Sequence, residues 1–168
     1  LNQLGRSGFE FVAPLSAGGF PGEQFNLFIQ REGSAQTFEY LLDFQEDSQL
    51  AFEDQIEARG AQGWEFVSGI AIGETFEQRA LYVRRTVAPG RFTFLLLDAP
   101  QDRDANLQQI NTQGAGGYRW IGPQSFSNAI DIKNMFVRNL DTAFSYSYLT
   151  AAPQDTRDGF VSQANTLG

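Results

Sequence analysis

The stretch that decides the fold is Gly60-Ala61-Gln62-Gly63-Trp64-Glu65-Phe66-Val67, because its last five residues have counterparts at two other places in the chain. The pentad Gly63–Val67 matches Gly8–Val12 on its N-terminal side and Gly117–Ile121 on its C-terminal side, at nearly equal spacing. Another glycine stands three residues before each pentad, at Gly5, Gly60 and Gly114. Two features that share one period predict a tandem repeat.

Two aromatic runs elsewhere in the chain recur at nearly the same spacing as the pentads. One run occurs as Phe28–Arg31, Tyr82–Arg85 and Phe136–Asn139. The other occurs as Phe38–Leu42, Phe92–Leu96 and Phe144–Tyr148. All six runs lack Gly and Pro and are rich in aromatic or aliphatic side chains, which is typical of strands.

One complete unit is predicted over residues 37–86. Residues 38–44 form a strand, and Asp47 or Ser48 caps the helix that follows. The helix buries Leu50, Phe52 and Ile56 and ends at Gly60. Residues 63–70 and 79–86 then form a hairpin whose turn lies around Gly73.

The other units follow the same plan. The second helix is capped by Asp102 or Asp104, covers residues 105–113 and ends at Gly114. The C-terminal part is predicted to be a strand over residues 144–150 and a helix that reaches residue 167.

The fold predicted from this pattern is α+β, with three tandem strand-helix-strand-strand repeats of about 54 residues and mostly antiparallel sheet. Residues 1–33 are the C-terminal part of a split repeat, a helix end plus a hairpin. Residues 37–86 and 91–140 are complete repeats, and residues 143–168 are the N-terminal part of a split repeat. Because residues 1–5 and 164–168 hold the same repeat position, we expect an excerpt of a longer array or an end-to-end polymer, rather than a neat circular permutation.

Composition narrows the function. The 168 residues carry 12 Lys and Arg against 20 Asp and Glu, a net charge of −8 that disfavours nucleic acid as a partner. The chain has no Cys and no His, which removes thiolate chemistry, the commonest metal ligand and the commonest general base. We expect neither an enzyme nor a cofactor.

No run approaches the roughly 20 apolar residues of a membrane span. The absence of Cys and the single Lys beside 11 Arg favour a bacterial extracellular or cell-surface protein, with a cytoplasmic location as the alternative.

The pattern from Gly60 to Val67, followed by the aromatic strand Tyr82–Arg85, resembles a small bacterial domain family of unknown function with a Gly-Trp-Glu-Leu-Val signature. The resemblance covers the chain as tandem copies and is weakest at Tyr118-Arg119-Trp120. It implies a compact strand-helix-strand-strand module and no particular activity.

Four residues are candidates for ligand contacts. Trp120 has no Trp counterpart in the other units, so its ring is a candidate for stacking on a glycan. Arg31, Arg84 and Arg138 end equivalent strands and are candidates for an anion-binding row. For both sets the favoured interpretation is structural: core packing for the tryptophan, and charges that discourage wrong edge pairing for the arginines.

The two halves of the chain differ in charge. Residues 1–77 hold 13 acidic and 3 basic side chains, net −10, whereas residues 78–168 hold 7 acidic and 9 basic ones, net +2. This polarity and the split repeat predict head-to-tail association of identical chains into a filament, with Leu1, Leu4, Phe160 and Val161 buried at the junction. The alternative is a pseudo-threefold ring that closes within one chain and binds a glycan or an anion.

Overall fold

The computed structural model describes residues 1–17, 23–72, 77–126, 132–152, 162–163 and 165–166. Its helices are α1 (Asn2–Arg6), α2 (Gln49–Ala61) and α3 (Arg103–Ala115). Its strands are β1 (Phe9–Ala17), β2 (Glu23–Gln30), β3 (Phe38–Phe44), β4 (Glu65–Ile72), β5 (Glu77–Arg85), β6 (Phe92–Asp98), β7 (Arg119–Gln124) and β8 (Lys133–Asn139). The fold is α+β, as predicted, and all the described strand pairs are antiparallel.

The described strands form three small sheets. The first holds β1 and β2, the second has the order β3-β5-β4, and the third has the order β6-β8-β7. The second and third sheets share one register, since Phe38 faces Arg85 and their repeat counterparts, Phe92 and Asn139, also face each other. The antiparallel strand pairs predicted for the hairpins are present, whereas the predicted turn around Gly73 lies outside the described residues. In both three-stranded sheets the last strand of the sequence order lies at the centre.

Each hairpin carries a β-bulge at the last residue of its pentad. The pairing register shifts at Val12 in β1, at Val67 in β4 and at Ile121 in β7. A bulge bends its strand and increases the local twist. The three hairpins therefore curve at corresponding points.

The helices begin as predicted and end later than predicted. Ser48 and Asp102 are the N-caps, and their side chains accept hydrogen bonds from Ala51 N and Ala105 N. Gly60 and Gly114 lie inside their helices, so the prediction that they end them was wrong.

The true helix stop is the first glycine of each pentad. Gly63 has φ +86°, its N–H bonds to the carbonyl of Gly60, and the next N–H, from Trp64, bonds to Arg59. This is a Schellman motif, in which glycine adopts the left-handed conformation most easily. Gly117, with φ +90°, ends α3 with the same two bonds.

The glycines inside the helices allow a strand to approach closely. A Cβ on Gly5 would overlap the carbonyl oxygen of Phe38, and a Cβ on Gly60 would overlap that of Phe92. Gly114 meets the carbonyl oxygen of Tyr146 in the same way. The last turns of α1 and α2 thus pack on the first residues of the second and third sheets, and α3 packs in the same way on Tyr146.

Two hydrophobic clusters lie between successive sheets. Phe11 of the first sheet packs with one face of the second, whose buried side chains are Phe38, Tyr40, Leu81 and Val83. The opposite face of the second sheet packs with α2 and with the third sheet, and this cluster includes Phe52, Ile56, Phe66, Tyr82, Phe92, Phe94, Met135 and Val137. The predicted burial of Phe52 and Ile56 is confirmed, but that of Leu50 was wrong, because this side chain is 71% exposed.

The predicted strand over residues 144–150 does not form. Residues 142–152 belong to none of the described helices or strands. The equivalent strands β3 and β6 pair with β5 and β8, which follow them in the chain, and a strand is stable only with such a partner. Of the predicted C-terminal helix, residues 162–163 and 165–166 are helical, whereas Phe160 and Val161 lie outside the described residues.

Candidate assembly site

The first sheet has an open edge at β2. In the second and third sheets the central strand, β5 or β8, has a neighbour on each side. By register, β2 corresponds to those central strands, but among the described residues only β1 pairs with it. Its second edge therefore presents unpaired backbone N–H and C=O groups.

One face of β2 is exposed, although the equivalent faces of the central strands β5 and β8 are buried between two sheets. Leu27 and Ile29 are 43% and 58% exposed. Their counterparts in the second sheet are Leu81 and Val83, and those in the third are Met135 and Val137, all of which are buried. The first sheet thus exposes apolar surface that the other two sheets bury.

At the opposite end of the chain, the segment of residues 143–152 (the C-terminal segment) packs on α3. Tyr148 donates its N–H to Asn111 Oδ1 over 2.7 Å, and its carbonyl accepts from Asn111 Nδ2 over 2.9 Å. Tyr40 of β3 makes the same two bonds with Asn2 of α1. The C-terminal segment is therefore placed on its helix as β3 is on α1.

A tyrosine hydroxyl extends this correspondence. Tyr148 Oη accepts from the backbone N–H of Trp120 over 2.7 Å, and Tyr40 Oη accepts from that of Phe11 over 2.6 Å. These bonds place Tyr146, rather than the predicted Phe144, at the position of Phe38 and Phe92. The predicted alignment of the run Phe144–Tyr148 with Phe38–Leu42 was therefore wrong by two residues.

Of the four predicted assembly residues, only Leu1 and Leu4 lie among the described residues. Leu1 and Leu4 are about two-fifths exposed on and beside α1. Phe160 and Val161 lie outside the described residues. Leu27, Ile29 and Tyr148 were missed as candidates, although each has a counterpart in the second sheet, namely Leu81, Val83 and Tyr40.

The candidate ligand residues make internal contacts. Trp120 Nε1 donates to the buried Asn134 Oδ1 over 3.1 Å. Arg84 bonds to Glu39 and lies over the Trp64 ring at 4.4 Å, while Arg138 lies 5.8 Å from the centre of the Tyr118 ring. Arg31 is exposed at the end of β2, with no described carboxylate in ion-pair range.

A groove of about 580 Å³ lies between the second and third sheets, with Ser68, Gln78 and Gln124 in its lining. Two buried oxygen atoms there, Gln45 Oε1 and Ser68 Oγ, have no hydrogen-bond partner among the described residues. No group of three or more acidic, His or Cys side chains that could hold a metal occurs within the described ranges.

Comparison with known proteins gives no match to any protein family, curated sequence or solved structure. Among the residues that the structure describes, no helix is long and apolar enough to cross a membrane.

Proposed function

We propose that this protein is a non-enzymatic structural repeat protein that assembles head-to-tail into an extracellular filament or surface array. One observation carries the proposal: a strand with an edge that no described strand covers, and a segment placed like a first strand of a sheet, lie near opposite ends of the described chain. β2 has an open edge and an exposed apolar face. The C-terminal segment is placed on α3 as β3 is on α1, but none of the described strands pairs with its residues 146–151.

The proposal includes a tandem repeat of three strand-helix-strand-strand units. The corresponding registers, the three bulges and the three close glycine contacts support it. In such an array each unit packs on its neighbours, so a terminal unit leaves one face uncovered unless it is capped. Leu27 and Ile29 are exposed, as expected for a unit whose face no neighbouring unit covers.

Charge favours the head-to-tail arrangement over a two-fold one. A two-fold contact places the same patch on both sides, so one formed by residues 1–77 would bring two strongly acidic surfaces together. A head-to-tail contact instead sets residues 1–77, net −10, against residues 78–168, net +2. The resemblance to the Gly-Trp-Glu-Leu-Val family remains a prediction that agrees with a modular structural role.

The groove favours a second candidate function, binding of a neutral polar ligand such as a glycan. Gln45 Oε1 and Ser68 Oγ are buried without partners beside it, and buried polar atoms usually have partners. Titration with a glycan series would test this function, with Ser68→Ala as the variant expected to weaken saturable binding. Arg84 and Trp120 make internal contacts, which give no such support to the predicted glycan and anion contacts.

Sedimentation velocity and electron microscopy over a wide concentration range test the assembly. The expected result is an open series of particle masses and linear particles. Ile29→Lys should reduce association, because it puts a charge on the exposed face of β2. Leu50→Lys is the matched control, because Leu50 is more exposed and lies on α2. A strict monomer at high concentration, or a closed dimer, would overturn the proposal.

A further inference from the structure

We propose that residues 146–151 of one copy, the donor, pair as an antiparallel strand with residues 26–31 of the next copy, the acceptor. Tyr146 then faces Arg31, and each later donor residue faces the preceding acceptor residue. The added strand completes the first sheet of the acceptor in the order seen in the other two. This inference rests on the proposed head-to-tail function and names the contact that would produce it.

The register follows from the two complete sheets. In the second sheet Phe38 faces Arg85, and in the third Phe92 faces Asn139. The glycine contacts make Tyr146 the counterpart of Phe38 and Phe92. The shared bulge register makes Arg31, which directly follows β2, the counterpart of Arg85 and Asn139.

Backbone hydrogen bonding leaves the required groups free. Successive residues of a strand direct their N–H and C=O groups to opposite edges. Tyr148 uses both groups on Asn111, so in an extended strand its neighbours Ser147 and Leu149 direct theirs to the other edge. β3 shows that one strand can form hydrogen bonds along both of its edges, since Tyr40 bonds to Asn2 on one edge while β3 pairs with β5 on the other.

The side chains fit the same arrangement. At the junction between the first two sheets, Phe38 and Tyr40 pack with Leu81, Val83 and the bulged strand's Phe11. The corresponding set at the new junction is Tyr146, Tyr148 and Trp120 of the donor with Leu27 and Ile29 of the acceptor. The pairing would therefore cover the two apolar side chains that β2 leaves exposed.

The proposed pairing keeps one internal contact of each copy in place. In the acceptor, α1 stays on its own β3, where Gly5 lies against the carbonyl of Phe38. The donor likewise keeps its bonds from Asn111 to Tyr148. Only the free edges of residues 146–151 and of β2 are used.

Because the chain contains no Cys, disulfide trapping tests the register directly. Leu27→Cys and Thr150→Cys, made in separate chains, are mixed and mildly oxidised. Facing residues of an antiparallel pair have Cα atoms roughly 4.5–5.5 Å apart, within the range of a disulfide. We expect a disulfide-linked dimer from the mixture. Ile29→Cys mixed with Thr150→Cys is the control and should lose that dimer, because diagonal residues are roughly 7–8 Å apart.

The double variant Leu27→Cys/Thr150→Cys separates assembly from ring closure. We expect an oxidised ladder of multimers. A fast-migrating closed monomer would overturn pairing between copies, and a dimer from Leu27→Cys alone would overturn it in favour of two β2 edges pairing. If sedimentation shows head-to-tail association but the 27–150 disulfide does not form, the strand pairing is wrong while the proposed function stands. If there is no association at all, both fail.

Discussion

A Cβ atom on Gly60 would lie well inside van der Waals contact distance of the carbonyl oxygen of Phe92. This contact joins the last turn of α2 to the first residue of β6, and therefore joins one sheet to the next. The ring of Phe94 also lies 2.9 Å from that Cβ position. Because one of the two groups is backbone, the clash cannot be relieved by a change of rotamer.

We expect Gly60→Ala to lower the free energy of unfolding by about 3 kcal/mol, since overpacking against backbone costs more than helix propensity returns. In an unhindered helix the same change would stabilise by about 1 kcal/mol, so the sign itself tests the contact. Denaturant unfolding gives the value. Gly33→Ala is the control: φ is +74° and no atom lies within 4 Å of its Cβ, so it should cost only about 1 kcal/mol.

Replacing tyrosine by phenylalanine should change the free energy of unfolding in opposite directions at Tyr40 and Tyr82. Tyr82 Oη is buried without a partner, whereas Tyr40 Oη donates to Phe9 O and accepts from Phe11 N. Tyr82→Phe should raise the free energy of unfolding by about 1 kcal/mol, and Tyr40→Phe should lower it by about 2 kcal/mol. Equal effects in urea unfolding would contradict the assigned contacts.

The same two tyrosines predict loss of stability in alkali. Burial raises the pKa of Tyr82, with Asp43 adding to the shift, and burial also raises the pKa of Tyr40. A folded-state pKa above the unfolded value of about 10 gives stability that is present below that pH and lost as the pH rises. Unfolding measured from about pH 8 to pH 12 should show constant stability up to about pH 10 and a decline above it. The decline should be smaller in Tyr40→Phe/Tyr82→Phe; an unchanged slope would exclude these groups as its cause.

Much of the local structure could be predicted from the sequence because it depends on neighbouring residues. The caps Ser48 and Asp102, both long helices and the hairpins follow from side chains close in sequence. The role of Gly60 could not be predicted, because it depends on the carbonyl of Phe92, which belongs to the next unit of the chain. A glycine near a helix end indicates a stop, and only the packed neighbour shows that it provides close approach.

The exposed face of β2 was missed for a related reason. Leu27 and Ile29 alternate along a strand just as Leu81 and Val83 do, so periodicity predicts the same burial for both pairs. The difference arises from whether another layer covers the sheet. Leu50 was assigned to the core by spacing alone, although Phe52 and Ile56 already fill the contact with the sheets.

A buried polar network distinguishes the third sheet from the second. Asn134 is 1% exposed and donates to Asn106 Oδ1 and Gln109 Oε1, while its own oxygen accepts from Trp120. Residues at the corresponding positions of the second sheet and α2 are Ala80 and Phe52, both fully buried. The third unit thus has hydrogen bonds where the second has apolar contact.

Asn134→Ala should lower the free energy of unfolding by about 3 kcal/mol, because it leaves several buried polar groups unpaired. Adding Asn106→Phe recreates the pair found in the second unit and should recover part of the loss. A double-mutant cycle measures the coupling. If the second change only adds to the loss, the spacing between α3 and its sheet differs from that of α2.

Proline substitution in the C-terminal segment tests which backbone edge the assembly uses. Leu149 directs its N–H away from α3 in the proposed strand, so Leu149→Pro removes a bond to the next copy and obstructs the approach of β2. Thr150→Pro is the matched control, because the N–H it removes points to the opposite edge. We expect Leu149→Pro to sediment as a monomer with an unchanged thermal midpoint, and Thr150→Pro to assemble as the parent chain does. Assembly of Leu149→Pro at the parent's concentration would show that the copies meet through a different surface.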